Sequence, residues 1–148
     1  MKVLFDTCVV IDILGKTAFV ADAFAAYDVA VFKKMDVCLS VSSTTDIVYL
    51  LHSRGCLSKQ ASRDMARQLD VLFDVLDVTA SDSRQAAKSD MPDYEDALIA
   101  YSALRQNVDF IVTRNKKEFT RSPVPALTPT EFVAIYKPTC LNYDEVEL

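Results

Sequence analysis

Residues 93–115 read DYEDALIAYSALRQNVDFIVTRN, and the fold is decided in this stretch. Ala97, Ala100 and Leu104 recur at helical spacing, so residues 93–106 are read as a helix with its apolar face turned inward. Residues 109–112 then change to a short β-rich apolar run, which ends on the polar Thr113, Arg114 and Asn115. A helix that hands over directly to a short buried strand is the repeating unit of an α/β sheet.

The same grammar extends to both ends. Lys2–Phe5 is a short apolar strand ending on Asp6. Phe19, Ala23, Ala26 and Ala30 place a helix over residues 19–32, and residues 37–41 form a second strand. Ser42, Ser43 and Thr44 supply cap residues for a helix that carries Ile47, Leu50 and Leu51 on one face, runs to Ser53 and stops at Gly55. Ser58 opens another helix, with Ala61, Met65, Leu69 and Leu72 inward. Residues 75–78 are a third strand, followed by a helix from about Ser81 to Lys88. Beyond the fourth strand at 109–112, residues 124–127 offer a short fifth, and residues 128–134 a final helix. Strands alternating with helices call for a mainly parallel sheet covered on both faces, a three-layer α/β/α sandwich. One domain over residues 1–137 accounts for this pattern, with 138–148 as an acidic, flexible tail.

Composition narrows the function. The chain has 148 residues, enough for one core and too few for two. Four cysteines, Cys8, Cys38, Cys56 and Cys140, are scattered among apolar neighbours, and His52 is the single histidine. Without paired soft ligands a zinc site is not expected, and a disulfide framework does not suit a chain of this size. Asp6 and Asp12 interrupt the N-terminal apolar run, and no segment approaches the ~20 residues needed to span a bilayer. A cytoplasmic protein with reduced thiols is expected. The net charge of −5 argues against a coat that binds nucleic acid by broad phosphate attraction. It suits an enzyme that gathers acids into one pocket to hold a cation.

The acids fall where such a pocket belongs, because parallel sheets bind ligands beyond the carboxyl ends of their strands. Asp6 ends the first strand. Asp46 sits in the first turn of the helix after the second. Asp93, Glu95 and Asp96 open the helix before the fourth, and Glu118 stands three residues after Asn115. Each has a structural alternative. Asp6 can cap the segment beyond its strand, Ser43 and Asp46 match a capping box, and Asp93 with Asp96 match an N-terminal cap that the helix dipole favours. Together, however, so many acids at one edge repel one another unless a cation joins them. Hard oxygen ligands select Mg²⁺ or Mn²⁺, and with no Ser, Cys or His nucleophile at a recognisable spacing the matching chemistry is metal-activated water on a phosphodiester. Arg114, Lys116 and Lys117 form a basic cluster beside this edge, suited to guiding RNA or to a solvated loop. A phosphatase that uses two aspartates after its first strand is discounted, because the second position is Cys8.

At these residues the sequence resembles the PIN-domain family, including the VapC-like toxin ribonucleases of bacterial toxin–antitoxin pairs. The resemblance rests on VLFDTCVVIDIL (3–14), SSTTDIVYLLHSR (42–54), SDMPDYEDALIAYSAL (89–104), DFIVTRNKKEF (109–119) and PVPALTPTEFVA (123–134). It implies an α/β/α sandwich and metal-dependent endoribonuclease activity. Catalytic acids would be Asp6, Asp46 and Asp96, with Asp93, Glu95 and Glu118 as further metal ligands and Thr113 and Asn115 in support. A homodimer and, for a toxin, an antitoxin protein partner are implied as well. Two positions depart from the family pattern: Asp46 stands where a longer Glu is common, and neutral Asn115 where Asp is frequent. The competing expectation is a catalytically degenerate member that binds RNA or protein.

Overall fold

A computed structural model describes residues 1–55 and 57–143. Within them, β1 (Lys2–Phe5), β2 (Asp36–Ser40), β3 (Asp74–Leu76), β4 (Phe110–Val112) and β5 (Ala126–Leu127) form one sheet. The strand order is β3-β2-β1-β4-β5 and every pairing is parallel. Helices α1 (Thr7–Leu14), α2 (Val20–Phe32), α3 (Val41–Ser53), α4 (Lys59–Leu72), α5 (Ala80–Lys88), α6 (Tyr94–Arg105) and α7 (Pro129–Tyr136) complete the described chain. The three-layer α/β/α sandwich expected from the alternating pattern is the fold.

The period of two along β1 divides the core. Val3 and Phe5 point to one face, where α1, α2, α3, α4 and α7 bring Val9, Ala26, Val29, Ile47, Leu51, Leu69 and Phe132. Leu4 points to the other, against Ala97, Ile99, Ala100 and Ala103 of α6 and Ala86 of α5. Phe5 is fully buried, with its ring edge-on to those of Tyr27 and Phe132. On the thinner face Arg105 of α6 reaches Asp82 of α5 and Asp77 at 3.0 Å each, which ties the two helices together.

Several boundaries differ from the sequence reading. Residues 7–14, to which the sequence pattern assigns no element, form α1. Their run TCVVIDIL is apolar but for Thr7 and Asp12, so it shows no helical contrast between an inner and an outer face. Val41 begins α3 rather than ending β2, and β3 starts one residue earlier and ends two earlier than expected. Leu72 and Leu104, expected inward, are exposed at their helix ends. Gly55 stops α3 as expected, with a φ of 71° that β-carbon-bearing residues rarely adopt. Cys8, Cys38 and Cys140 are free thiols; Cys140 is exposed rather than embedded among apolar groups, and Cys56 lies outside the described residues. Among the described residues no helix is long and apolar enough to cross a membrane.

Of the segment 138–148, residues 138–143 are described. Leu141 and Tyr143 pack against the larger core, and the Tyr143 hydroxyl donates to Asp28 at 2.7 Å. Residues 144–148 of the expected tail lie outside the described residues.

Docking of α7 supplies a direct stability test. Phe132 is fully buried whereas Ile135, one turn away, is 61% exposed. Phe132→Ala should cost about 3–5 kcal/mol in urea unfolding, and Ile135→Ala no more than about 0.5 kcal/mol. Equal costs for the two would mean that α7 does not dock through Phe132.

Candidate active site

The sheet order reverses at β1, which runs between β2 and β4, so the crevice beyond their carboxyl ends is a topological switch point. Asp6 stands at this point. Its backbone N–H donates to the Val112 carbonyl at 3.0 Å, continuing the ladder, and its side chain is almost wholly buried. Two donors hold one carboxylate oxygen: the Thr113 hydroxyl at 2.7 Å and the Cys8 thiol at 3.1 Å. Burial pushes the Asp6 carboxyl above its ordinary range, partly offset by Thr113 and Cys8 and more distantly by Arg114. Desolvation, and then the charge of Asp6, drive the Cys8 thiol up to about 12, which keeps it protonated as a donor. Thr113, expected in support of the site, lies at the end of the neighbouring strand and holds the Asp6 carboxylate by this hydrogen bond.

A cleft of about 490 Å³ opens above Asp6. Its walls carry Asp93, Glu95 and Asp96 from the start of α6, and Arg114, Asn115 and Glu118 from the segment after β4. Helix α6 begins where Asp93 accepts the Asp96 backbone N–H at 3.1 Å, so Asp93 does serve as the cap that the sequence allowed. The cap sets the first turn, and the first turn presents Asp96 to Asp6. Desolvation raises Asp96 to about 7, followed by the charges of Asp6, Asp93, Glu95 and Glu118. Glu95 is also raised, through desolvation first and then through Asp46, Asp93 and Asp6. Asp46 stands beside the cleft rather than in its wall, and Glu95 is the cleft acid that its charge raises.

Asp46 is the sixth residue of α3, one turn further along than expected. The Ser43–Asp46 capping box does not form. Ser40 is the N-cap, and Ser43 is a buried residue inside the helix that accepts the Thr7 hydroxyl at 2.8 Å. That leaves Asp46 without a capping role. Leu50, read from the sequence only as part of an apolar helix face, and Arg54, the C-cap of α3, also line the cleft, although their spacing of four and eight from Asp46 is a legible signal. Cys8 and Thr7 escape sequence reasoning as well, since their place depends on the turn into α1. Of the basic cluster, Arg114 lines the cleft but Lys116 and Lys117 do not. Lys116 is paired with Glu131 at 2.8 Å, and Lys117 is exposed.

Five carboxylates, Asp6, Asp93, Glu95, Asp96 and Glu118, line the cleft with the amide Asn115 beside them, and the Cys8 thiol is engaged with Asp6, so the available ligands are hard oxygens that fit Mg²⁺ or Mn²⁺. As the side chains stand, no three acids among the described residues form a group with the spacing of metal ligands. The fit therefore rests on the chemistry of the set and on its electrostatics: Asp6, Glu95 and Asp96 all resist ionisation where they are, and a divalent cation is what would relieve them.

The PIN domain family matches residues 2–117. No curated relative matches the chain by sequence. Among solved structures, VapBC2 from Rickettsia felis bound to a DNA fragment from its promoter is similar with a TM-score of 0.67 and 17% identity, covering 86% of this chain and 98% of that one. VapBC-1 from nontypeable Haemophilus influenzae gives 0.65 and 19%, covering 88% and 99%. FitAcB from Neisseria gonorrhoeae gives 0.64 and 19%, covering 86% and 98%.

Raised carboxyl pKa values tie stability to pH in a definite direction. The folded state holds these protons to a higher pH than the unfolded chain, so their contribution is full below the ordinary carboxylate range and is lost as pH rises through about 7. In EDTA the melting temperature should therefore fall between about pH 6 and pH 8 by a few degrees. Saturating Mn²⁺ should remove most of the fall, and Asp96→Asn should flatten it without metal. A slope that is the same in Asp96→Asn as in wild type would place its origin elsewhere.

Proposed function

Because the chain belongs to the PIN domain family, we propose that it is a metal-dependent endoribonuclease that hydrolyses RNA phosphodiester bonds in the cytoplasm. The observation that carries this reading is the cleft at the sheet's switch point, where Asp6, Glu95, Asp96 and Glu118 gather and at least three of them resist charge in the absence of a cation. Bound Mg²⁺ or Mn²⁺ would supply a low-pKa water and would neutralise charge on the attacking and leaving oxygens.

The chain's own residues divide the remaining work. Asp6, Asp46 and Asp96 are assigned as the catalytic acids, with Asp93, Glu95 and Glu118 completing the ligand set. Thr113 and Cys8 orient Asp6, so its second oxygen is the one directed to an ion. Asn115 contributes an amide oxygen at the rim, and its backbone N–H donates to the Thr113 hydroxyl at 2.9 Å, which aligns that hydroxyl toward Asp6. Arg114, Lys116 and Lys117 are assigned to RNA, with Arg114 nearest the chemistry. A degenerate binding module is the second reading; it is favoured by Asn115 in place of an acid and by the lack of a ready three-acid group among the described residues.

Toxin–antitoxin complexes among the similar structures extend the proposal to partners. We assign the chain an antitoxin protein partner and a homodimeric state. The face offered for self-association lies between α3 and α4, a groove of about 390 Å³ lined by Thr44, Val48, Tyr49, His52 and Ala66, with Tyr49 68% exposed. Sedimentation at tens of micromolar should show a dimer that Tyr49→Asp disrupts. A monomeric wild type would remove the claim.

Purified protein should cleave single-stranded RNA with Mn²⁺ or Mg²⁺, and EDTA should stop it. Asp96→Asn should lower the rate about 100-fold or more, since the metal-held charge supplies several kcal/mol of the barrier reduction. Asn115→Asp should tighten Mn²⁺ binding. Inert wild type on a broad RNA panel, with Asn115→Asp neither tightening metal nor producing cleavage, would establish the binding module instead.

A further inference from the structure

We propose that buried Asp12 is a positioning residue that, with Phe19, pins Arg114 to the wall between the acidic cleft and the groove beside it, where the guanidinium faces an RNA phosphate and is kept off the metal-binding acids. The proposal rests on the nuclease reading of the cleft and adds to it a residue pair that reading does not use.

Asp12 is an anomaly in its surroundings. It lies in α1 next to buried Val9, Val10 and Ile11, and its own side chain is 1% exposed. One carboxylate oxygen accepts the Thr17 hydroxyl at 2.6 Å. The other, Oδ2, accepts no hydrogen bond; what opposes it is the Arg114 guanidinium, as an ion pair through Nε. A buried carboxylate balanced by one cation is no better for stability than an apolar side chain of similar volume. A reason other than folding is therefore needed for an acid at this place.

Arg114 supplies that reason. It stands between Thr113, which bonds Asp6, and Asn115, which lines the cleft. A free arginine so close to the Asp6 carboxylate would fall onto the acids, since a desolvated cluster of like charge attracts the nearest cation. It is held away instead. The guanidinium sits over the Phe19 ring, with Cζ 4.4 Å from the ring centroid, while Asp12 takes Nε. Among the described residues the two terminal nitrogens donate to no protein group. They remain as the planar, two-pronged donor that suits a phosphodiester, on a side chain whose rotamer is already fixed.

The pinned guanidinium also lies on a path for the strand. Arg114 and Asn115 line both the cleft and a second groove of about 280 Å³, which also contains Asp12, Phe19, Thr128 and Thr130. Arg114 is the one cation among the residues that line this groove. An RNA strand that ran from the cleft into this groove would cross the wall that Arg114 and Asn115 share.

The test measures binding of a fluorescein-labelled single-stranded oligouridylate by anisotropy in EDTA over a salt series, beside Mn²⁺ calorimetry without RNA. On charge alone, Asp12→Asn removes a repelling acid and should tighten RNA binding. The pinning predicts the opposite: Asp12→Asn and Arg114→Gln each weaken binding about tenfold, the scale of one charge-assisted contact. The salt slope should fall by about 0.7 in each, and the double variant should be no weaker than the worse single one. Asp12→Asn should also weaken Mn²⁺ binding several-fold through the released arginine, and should not do so in the Arg114→Gln background. Phe19→Ala, at a half-exposed ring, loosens the same guanidinium without entering the core and should reproduce the RNA loss even if Asp12→Asn fails to fold. Wild-type-like RNA binding in Phe19→Ala, or equal or tighter binding in a folded Asp12→Asn, overturns the proposal. If wild type binds no RNA, the nuclease reading falls, while the Mn²⁺ comparison still decides whether Asp12 restrains Arg114.

Discussion

The hydrogen bond from Thr113 to Asp6 joins the ends of two adjacent parallel strands and places a carboxylate where the sheet order reverses. Everything at the site is built around that buried charge. Parallel pairing of Phe5 with Val112 fixes the two strand ends at the same height, so the residues just beyond them meet. The Thr113 hydroxyl satisfies one carboxylate oxygen and the Cys8 thiol reinforces it, while Asp6 also lines the cleft. Burying a carboxylate is costly, and the hydrogen bonds from Thr113 and Cys8 offset that cost only in part, since the Asp6 carboxyl remains above its ordinary range.

The acids around Asp6 sharpen the same conflict. Helix α6 presents Asp96 because Asp93 caps it, and Asp93 adds its own charge to the crowd. A helix N-terminus softens such repulsion by a few tenths to ~1 kcal/mol, which is too little for a group driven to about 7. The site thus holds a tension that the domain's remaining contacts must tolerate. The two-sided core does so, with Phe5 interlocked among aromatic rings below Asp6 and Arg105 clamping α6 to α5 behind Asp96. Of the two arginines that line the cleft, Arg54 and Arg114, the second is ion-paired with buried Asp12.

Most of this architecture is legible in the order of residues. Short apolar strands alternating with helices of period near four predict the sandwich, and the rule that ligands bind beyond strand carboxyl ends predicts the convergence of Asp6, Asp46, Asp93, Glu95, Asp96 and Glu118, of which Asp46 alone does not line the cleft. Helix α1 is not legible, because eight residues with a nearly continuous apolar run carry no contrast between strand and buried helix. Asp46 looks like a capping residue because Ser43 lies three positions before it; only the actual start of α3 at Val41 shows that Ser43 is inside the helix and bonded to Thr7. The Asp12–Arg114 pair spans about two-thirds of the chain, and no local pattern reports a contact of that range. Lys116 and Lys117 look equivalent to Arg114 in sequence, yet they lie outside the cleft because the turn after β4 gives each residue a different direction.

If the acids at the switch point form one divalent-metal site, manganese should be visible there directly. Anomalous diffraction at the manganese edge, from crystals grown with Mn²⁺, makes that measurement. An anomalous peak is expected in the cleft within ligand distance of Asp6 and Asp96, and it should be lost in Asp6→Asn crystals. A cleft without a peak at saturating Mn²⁺, or a peak that persists unchanged in Asp6→Asn, would contradict a shared metal site.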